Sequence, residues 1–405
     1  MPAEPPPPTA AELGLMEGSP PAPGGLVTLA NWQDPPFNRW GFQHVRELIP
    51  TARIDRAPTP RPLPREERDL GDLAFEAEGR TWTLAEALDA TYTDGFLVIH
   101  RGRILSESYR NGLTPAGTHL LMSVSKSIAA TVAGILAGRG LLDPEAPVTA
   151  VLPELAGTAW EGATVRHLLD MRAGTRFTEE YADPTSDVRV YEQVYLWRPR
   201  VDAGLPADAW TYMAGLENDR PHGGAFDYRS ILTDMLGWVV ERCGGARLAA
   251  LISREVWGPM GAEFDADVTV DGHGNAMADG GVCATLRDLG RFGLLWLEGG
   301  VVDGRRVVPE AWIADTLAGG EDSREAFARA KHSAGYPAGF YRNKWWVMDP
   351  SVPFYAGHGI NGQHVFVHPP AELVVAKLST WPTADNAALD RITDAAVRAI
   401  AAHVA

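Results

Sequence analysis

The stretch SVSKSIAATVAGILAGRG, residues 123–140, decides the fold of this chain. Its apolar residues recur three and four positions apart, which is the spacing of one helix face: Ile128, Val132, Ile135 and Leu136. Glycines at 138 and 140 then end the pattern. The stretch therefore predicts a buried helix that begins near Ser123.

Ser123 and Lys126 form an S-x-x-K pair at the start of this helix. Residues three apart share one face, so the Lys126 ammonium reaches the Ser123 hydroxyl. The first turn also presents free N–H groups and the positive end of the helix dipole, which stabilise an oxyanion. A partly buried lysine loses its charge readily and then accepts a proton. The pair predicts a serine nucleophile; a serine N-cap followed by a solvated lysine is the alternative.

A tyrosine that relays a proton is the second element. Tyr-x-Ser/Asn occurs three times, beginning at Tyr109, Tyr228 and Tyr341. Tyr109 ends a predicted hairpin strand, and Tyr341 lies in a loop before two tryptophans. Tyr228 stands between a loop and the predicted helix 230–245, where its phenol can face a cleft. A phenol beside an ammonium has a lowered pKa and moves protons between nucleophile and leaving group. This position favours Tyr228.

The glycine-rich segment GHGINGQ, residues 357–363, precedes a predicted strand. Glycines there let backbone N–H groups approach a substrate carbonyl as oxyanion donors. The segment also matches G-x-G-x-x-G, but a β-rich hairpin follows it rather than the helix of a dinucleotide site. His358, His364 and His368 lack the carboxylate spacing of a metal site, and no G-x-S-x-G nucleophile elbow occurs. We expect neither metal nor cofactor.

Composition narrows the function classes. The 405 residues carry 36 Lys+Arg against 52 Asp+Glu, a formal net charge of −16. An acidic surface repels phosphate backbones, so no nucleic-acid partner is expected. Two cysteines, Cys243 and Cys283, cannot build a disulfide scaffold or a four-cysteine zinc site; they fit a reducing compartment or are plain buried thiols. The sequence shows neither a secretory signal nor an apolar stretch of 18 residues, so we expect a cytoplasmic protein that does not bind membranes.

The ends of the chain mix strand and helix patterns, whereas the middle is mostly helical. This order predicts a disordered Pro-rich leader, a two-part α/β domain with an N-terminal arm, and a mainly helical insertion: residues 1–25, residues 26–122 with 276–405, and residues 123–275. Hairpins are predicted where β-rich runs flank turn residues: within 95–112, 301–308 and 364–380.

Ordered as S-x-x-K, Y-x-S and H-x-G, these residues resemble the penicillin-recognising serine hydrolases, which include class C β-lactamases, DD-peptidases and β-lactamase-like carboxylesterases. The resemblance covers about residues 90–400. It implies the β-lactamase/transpeptidase-like fold, α/β plus all-α, in which an antiparallel sheet is flanked by helices and carries an inserted helical domain. Within the superfamily the chain looks most like the 6-aminohexanoate-dimer hydrolases, which degrade nylon oligomers. The supporting stretches are MSVSKSI, EEYADPTSDVRVYEQVYLWRPR, YRSILTDMLGWVVER, MADGGVCATLRDLGRFG, KWW, GINGQ and KLSTWP.

The resemblance implies the catalytic roles. Ser123 is the nucleophile, Lys126 its partner base, and Tyr228 the proton relay. The backbone N–H groups of Ser123 and Ile360 form the oxyanion hole.

The resemblance also implies substrate-binding residues: Tyr181 on a mobile loop against the amide being cut, Glu192 favouring the cationic amino end, and Trp346 along the cleft. Each has an alternative interpretation: Tyr181 as an ordinary loop aromatic, Glu192 as a solvated charge, and Trp346 as a core residue.

The resemblance leaves the roles of three further residues open. Asp279 and Asp385 match positions that tune activity within the family. His358 stands where β-lactamases typically carry the lysine of K-T-G, which weakens the β-lactamase interpretation and leaves recognition of a substrate carboxylate open.

The expected function is hydrolysis of linear amides of short ω-amino-acid oligomers through an acyl-Ser123 intermediate, by an enzyme that its relatives imply is a homodimer. A β-lactamase-like carboxylesterase acting on short-chain esters uses the same residues. A β-lactamase or DD-peptidase is a third enzyme class. A non-catalytic binding protein would have lost Ser123, Lys126 or Tyr228, and all three are present.

Overall fold

The computed structural model describes residues 6–405; residues 1–5, which belong to the predicted leader, lie outside the described residues. The strands are β1 (Thr51–Ile54), β2 (Ala74–Ala77), β3 (Arg80–Thr83), β4 (Thr93–His100), β5 (Arg103–Tyr109), β6 (His119–Leu120), β7 (Ala266–Thr269), β8 (Val282–Ala284), β9 (Val301–Val302), β10 (Arg305–Arg306), β11 (Phe340–Arg342), β12 (Trp345–Asp349), β13 (Phe354–Gly359), β14 (Gln363–His368) and β15 (Leu373–Ser379). The α-helices are α1 (Asn38–Gly41), α2 (Leu84–Ala90), α3 (Val124–Gly138), α4 (Val148–Val151), α5 (Val165–Leu169), α6 (Asp187–Val194), α7 (Ala209–Ala214), α8 (Ile231–Gly244), α9 (Leu248–Ile252), α10 (Leu286–Leu297), α11 (Glu310–Ala318), α12 (Glu321–Ala328) and α13 (Ala387–Val404).

A seven-stranded sheet in the order β11-β12-β13-β14-β15-β4-β5 forms the central layer, and its neighbouring strands are antiparallel. Successive side chains of a strand point to opposite faces. Accordingly, Leu97 and Ile99 of β4 enter the core that contains α3 and α10, whereas Phe96 and Val98 enter a second core with α13. The sheet is thus covered by helices on both faces, which confirms the predicted fold class.

The start of α3 is fixed by a second, four-stranded sheet in the order β1-β7-β8-β6. After β6, the Leu121 amide donates to the Val282 carbonyl of β8 at 2.8 Å. The Val282 amide in turn donates to the Ser125 hydroxyl at 3.0 Å. These bonds hold the segment around Ser123 between the small sheet and the helix.

The predicted helix and the three predicted hairpins are confirmed, whereas Tyr341, which was expected in a loop, lies on β11. The stretch 123–140 forms α3, which ends at Gly138. The three predicted hairpins are β4–β5, β9–β10 and β14–β15. Asp303 and Gly304 turn with φ of 48° and 78°, the left-handed conformation that an Asp-Gly hairpin turn requires.

The predicted disordered leader needs a correction over residues 6–25. Leu15 is buried, and the Ala10 amide donates to Asn111 Oδ1 at 2.7 Å. The Arg39 guanidinium also donates to the Pro8 carbonyl at 3.2 Å. The proline count suggested that nothing here packs, but one buried leucine and a few polar contacts are enough to dock an extended segment.

The N-terminal arm does lie on the body. Trp32 Nε1 donates to the Trp197 carbonyl at 2.7 Å, and Arg39 forms a buried 2.9 Å ion pair with Asp94 of β4. None of the helices that the structure describes is both long and apolar enough to cross a bilayer. The division into domains at residues 122 and 275 stays a prediction.

Candidate active site

A cleft of about 800 Å³ lies where the N-terminus of α3 meets the end of β13 and the loop before α8. It brings together five of the residues that the sequence singled out: Ser123, Tyr181, Tyr228, Trp346 and Ile360. Two further predicted residues, His358 and Asp385, line it as well. The cleft is therefore the candidate active site.

Ser123 occupies the N-cap position of α3, but its hydroxyl caps no backbone amide. Instead, Lys126 Nζ donates to Ser123 Oγ at 2.7 Å. The same ammonium donates to Ser230 Oγ at 2.9 Å and to the Asp279 carbonyl at 2.8 Å. The lysine is almost fully buried. The geometry thus favours the nucleophile–lysine interpretation over a capping serine with a solvated lysine.

Tyr228 lies beside this pair. Lys126 Nζ is 5.2 Å from the centroid of the Tyr228 ring, and Tyr228 and Ser123 line the same cleft. Trp346 stacks on that ring with a centroid distance of 5.5 Å and an interplanar angle of 24°. Burial raises the pKa of Tyr228, and the Lys126 ammonium acts in the opposite direction.

The charge of Lys126 differs from the sequence-based expectation. Burial by itself lowers the pKa of Lys126, but Tyr228, Asp279 and Glu179 together raise it above its ordinary value. The lysine is therefore held as an ammonium by surrounding acids rather than neutralised by burial. All three groups come from segments distant from Lys126 in the sequence, so the spacing within S-x-x-K could not show the effect.

Two residues that contact Lys126 or its partners, Ser230 and Glu179, were not among the site residues predicted from the sequence. Ser230, the last residue of the Tyr-Arg-Ser motif, donates from its hydroxyl to Glu179 at 2.6 Å, and its backbone amide donates to the same carboxylate at 2.6 Å. Tyr181 OH also donates to Glu179, at 2.8 Å. The motif itself pointed to Ser230, and Glu179 is part of the quoted EEYADP stretch. Burial raises the pKa of Glu179, while Lys126 and these hydrogen bonds counteract it.

Asp279 lies behind Lys126, with Oδ2 3.8 Å from the ammonium. Its backbone amide donates to Asp234 Oδ1 at 3.1 Å. Burial and the adjacent Asp279 carboxylate raise the pKa of Asp234 well above its ordinary value. Asp279 thus contacts Lys126 through its carbonyl and its carboxylate, and is absent from the lining of the cleft.

The end of β13, next to Ile360, lies close to the backbone of Ser123. An added Cβ on Gly359 would lie 2.7 Å from the Leu121 carbonyl oxygen and 3.0 Å from the Ser123 amide nitrogen. Only glycine allows β13 to approach Ser123 this closely. Ile360 follows directly and lines the cleft. The GHGINGQ segment is therefore the end of β13 and its turn into β14, rather than a loop before a strand.

Glu192 lies outside the residues that line the cleft. Arg189 contacts both of its carboxylate oxygens at 2.9 Å, and Arg198 contacts one at 2.5 Å. Arg189 also donates to the Tyr181 carbonyl at 3.0 and 2.7 Å. The structure therefore connects Glu192 with the Tyr181 segment through an arginine.

His358 lies on β13 within the cleft, and burial lowers its pKa to about 3. Its Nδ1 lies 2.8 Å from His364 Nδ1, so one imidazole donates to the other. His358 is thus neutral at the position where β-lactamases carry a lysine. Among the described residues, no three His, Cys, Asp or Glu side chains are arranged to hold a metal ion.

Comparisons with known proteins agree with this geometry. The model of the Beta-lactamase family matches residues 83–399. A 6-aminohexanoate-dimer hydrolase of Paenarthrobacter ureafaciens is 41% identical over 367 residues, which cover 91% of each chain. A solved protein from Bacillus anthracis, provisionally named 6-aminohexanoate-dimer hydrolase, superposes with a TM-score of 0.85 at 26% identity, over 93% of this chain and 97% of that one. A class C beta lactamase from Rhodobacter sphaeroides shares the fold, with a TM-score of 0.54 at 17% identity over 78% of this chain and 98% of that one.

Proposed function

The chain belongs to the beta-lactamase family, and from that membership we propose that it hydrolyses linear amides of short ω-amino-acid oligomers, of the 6-aminohexanoate-dimer type, through an acyl-Ser123 intermediate. One observation carries the proposal: the 2.7 Å contact between Lys126 Nζ and Ser123 Oγ, with the Tyr228 ring centroid 5.2 Å from the same ammonium. A serine whose hydroxyl is held by a basic pair at a helix N-terminus is an activated nucleophile.

Acylation begins when Ser123 Oγ attacks the amide carbon. An ammonium can donate a proton but cannot accept one, so Lys126 does not take the Ser123 proton. The Lys126–Tyr228 pair first loses one proton, which leaves Tyr228 as a phenolate that Lys126 stabilises. The Ser123 proton then passes to the oxygen of Tyr228. The carbonyl oxygen becomes an oxyanion held by the amides of Ser123 and Ile360. Tyr228 then protonates the leaving nitrogen, and the C–N bond breaks.

Deacylation repeats the sequence with water. Water attacks the acyl carbon and passes a proton to Tyr228, and the same oxyanion donors stabilise the intermediate. The ester bond to Ser123 then breaks, and the proton returns from Tyr228 to Oγ. Tyr181 and Trp346, which line the cleft, orient the amide. Asp279 maintains the charge and direction of Lys126.

The direct test is incubation of the purified protein with the 6-aminohexanoate dimer, with release of monomer measured by chromatography. Wild-type protein and Ser106→Ala, a control on β5 away from the cleft, should release monomer, and Ser123→Ala should not. No release of monomer by the wild type, together with rapid cleavage of short p-nitrophenyl esters, would assign the protein to the carboxylesterases instead.

A β-lactamase activity is disfavoured by one observation. His358 is neutral because burial lowers its pKa to about 3, so no cation stands where the K-T-G lysine of β-lactamases would be. We expect no turnover of nitrocefin under conditions in which the amide is cleaved.

We also propose a cytoplasmic homodimer. Both cysteines, Cys243 and Cys283, are free thiols, which suits a reducing compartment. Light scattering coupled to size-exclusion chromatography tests the assembly, and a mass near twice the 43.8 kDa of the chain is expected.

A further inference from the structure

The turn between β13 and β14 carries Ile360 and rests on a segment that follows β15. We call that segment, residues 380–385, the wall segment, because part of it lines the cleft. The Asn361 amide donates to the Ala384 carbonyl at 2.8 Å, and the Trp381 amide donates to the Asn361 carbonyl at 3.2 Å. The Asn361 side chain donates to the Trp381 carbonyl at 2.9 Å. The wall segment therefore determines where Ile360 stands.

The backbone of this turn has little freedom to adapt. Asn361 and Gly362 are left-handed, with φ of 58° and 84°. A Cβ on Gly362 would lie 2.3 Å from the Trp381 ring, so the turn packs directly against that indole. Asparagine adopts the left-handed conformation more readily than most residues do, and its side-chain bonds to the wall segment hold it there. A shift of the wall segment would therefore move the turn, and Ile360 with it.

The N-terminal arm holds the wall segment from the other side. Asn38, the first residue of α1, donates from Nδ2 to the same Trp381 carbonyl at 3.0 Å. A carbonyl oxygen has two lone pairs, and the side chains of Asn38 and Asn361 together occupy both. Asn38 is 1% exposed, so solvent does not compete for its bond. One oxygen atom thus joins the arm to the residue next to Ile360.

The neighbouring residue of the arm, Arg39, anchors this contact with a charge. Arg39 Nη1 donates to Asp94 Oδ1 at 2.9 Å and to Thr380 Oγ1 at 2.7 Å. The Thr380 hydroxyl donates to the other carboxylate oxygen of Asp94 at 3.1 Å. The side chains of Arg39 and Asp94 are buried, so solvent screens their attraction little. Because Asp94 belongs to β4, the three side chains fasten α1 and the wall segment to the central sheet.

An oxyanion hole depends on the exact position of its donors. Each N–H group must lie about 2.7–3.1 Å from the oxygen on which charge develops. The Ser123 amide is fixed at the start of α3, so the position of Ile360 decides whether both donors reach that oxygen. Loss of the bond from Asn38 would let the wall segment shift and would lengthen the contact made by Ile360.

We propose that Asn38 is a positioning residue for the oxyanion hole, and that Arg39 holds Asn38 in place. The inference rests on the proposed function, since Ile360 is an oxyanion donor only if Ser123 is the nucleophile. The docked N-terminal arm then contributes to catalysis although neither Asn38 nor Arg39 lines the cleft.

The first test measures kcat and KM for p-nitrophenyl hexanoate. Asn38→Leu keeps the branched shape of the side chain but removes the donor. Its kcat should fall about tenfold, less than the loss expected when a donor is removed outright, and its KM should stay nearly constant.

Gln43→Leu is the matched control for this variant. Gln43 Nε2 donates to the Asn111 carbonyl at 3.0 Å, so this variant also loses an amide–carbonyl bond between the arm and the body. The bond does not involve the wall segment, and kcat should be unchanged. An equal kcat in the wild type and Asn38→Leu, or the same fall in Gln43→Leu, would overturn the proposal.

A second measurement separates stabilisation of the oxyanion from ground-state binding. Pentylboronic acid forms a tetrahedral, negatively charged adduct with Ser123 Oγ and so resembles the acylation intermediate. Its Ki should rise about tenfold in Asn38→Leu, in step with the fall in kcat. Calorimetry on Ser123→Ala should give the same Kd for hexanamide with and without Asn38→Leu. A lowered kcat with an unchanged Ki for the boronic acid would refute the positioning role.

Melting curves followed by circular dichroism establish that each variant is folded. Asn38→Ala removes the same donor without adding atoms, so it replaces Asn38→Leu if the leucine variant does not fold, and the same fall in kcat is expected. Wild-type protein that cleaves the ester but not the 6-aminohexanoate dimer would refute the proposed amidase function alone. Normal kcat in the Asn38 variants would refute the role of the arm alone.

Discussion

Glu179 accepts two hydrogen bonds from Ser230, one from the backbone amide and one from the hydroxyl, each 2.6 Å long. The same hydroxyl accepts from Lys126 at 2.9 Å. A carboxylate on the Tyr181 segment thus connects, through one serine, to the lysine that holds the nucleophile. The connection makes Glu179 a positioning residue for Lys126.

Replacing Glu179 by glutamine should shift the pH profile. The Glu179 charge raises the pKa of Lys126, so its removal makes proton loss from the Lys126–Tyr228 pair easier. The acid limb of kcat/KM should therefore move to lower pH, and kcat should fall roughly tenfold to hundredfold. Glu180→Gln, which also lies in the cleft, is the matched control and should leave the limb in place. A shift to higher pH would contradict the role of Glu179.

Substituting alanine for Gly359 should separate the two oxyanion donors. The added Cβ would lie 3.0 Å from the Ser123 amide nitrogen, which forces β13 away from the nucleophile. The expected loss in kcat is about 10²–10³-fold, as for loss of one oxyanion donor. Gly24→Ala is the control, because its Cβ would meet no atom within 4 Å. Steady-state kinetics with an ester substrate measures both, and normal kcat in Gly359→Ala would argue against this oxyanion hole.

Lys377 gives a prediction about stability. It is buried on β15, and burial lowers its pKa to about 7, whereas the unfolded chain has the ordinary value of 10.5. Between these two values the unfolded state binds more protons, so this lysine makes the free energy of unfolding rise with pH, by up to about 1.4 kcal/mol per pH unit. Urea unfolding of the wild type and of Lys377→Met from pH 7 to 10 should show the wild type gaining relative to the variant. A constant difference would mean that Lys377 is not neutral in the folded protein.

Glu192→Gln should act mainly on stability and on the Tyr181 segment. Removing the carboxylate charge weakens the pairing of Arg189 and Arg198, which costs about 1–3 kcal/mol in the free energy of unfolding. Arg189 also holds the Tyr181 carbonyl, so KM should rise for amino and neutral substrates alike. Urea titration and paired kinetics measure the two effects. A selective loss on amino substrates would instead support recognition of the substrate ammonium by Glu192.

Most of the secondary structure and site residues that could be predicted followed from the spacing of residues within short stretches. Helix periodicity located α3, Asp-Gly located the β9–β10 hairpin, and Tyr-x-Ser at a helix start identified Tyr228. The charge of Lys126 could not be predicted, because it depends on Glu179, Asp234 and Asp279, which come from separate segments of the chain. The partners of Glu192 and the docking of residues 6–25 likewise depend on tertiary contacts rather than on pattern.

The central sheet also constrains the order in which the protein assembles on the ribosome. Val98 of β4 lies opposite Val375 of β15, so the middle of the sheet stays open until nearly the whole described chain has emerged. Such distant pairing slows folding and leaves unpaired strand edges exposed meanwhile. The N-terminal arm can complete its docking only after β15, because Asn38 donates a hydrogen bond to the carbonyl of Trp381. The N-terminal arm is thus synthesised before the central sheet but docks after it, and a nascent chain halted before β15 has no completed sheet.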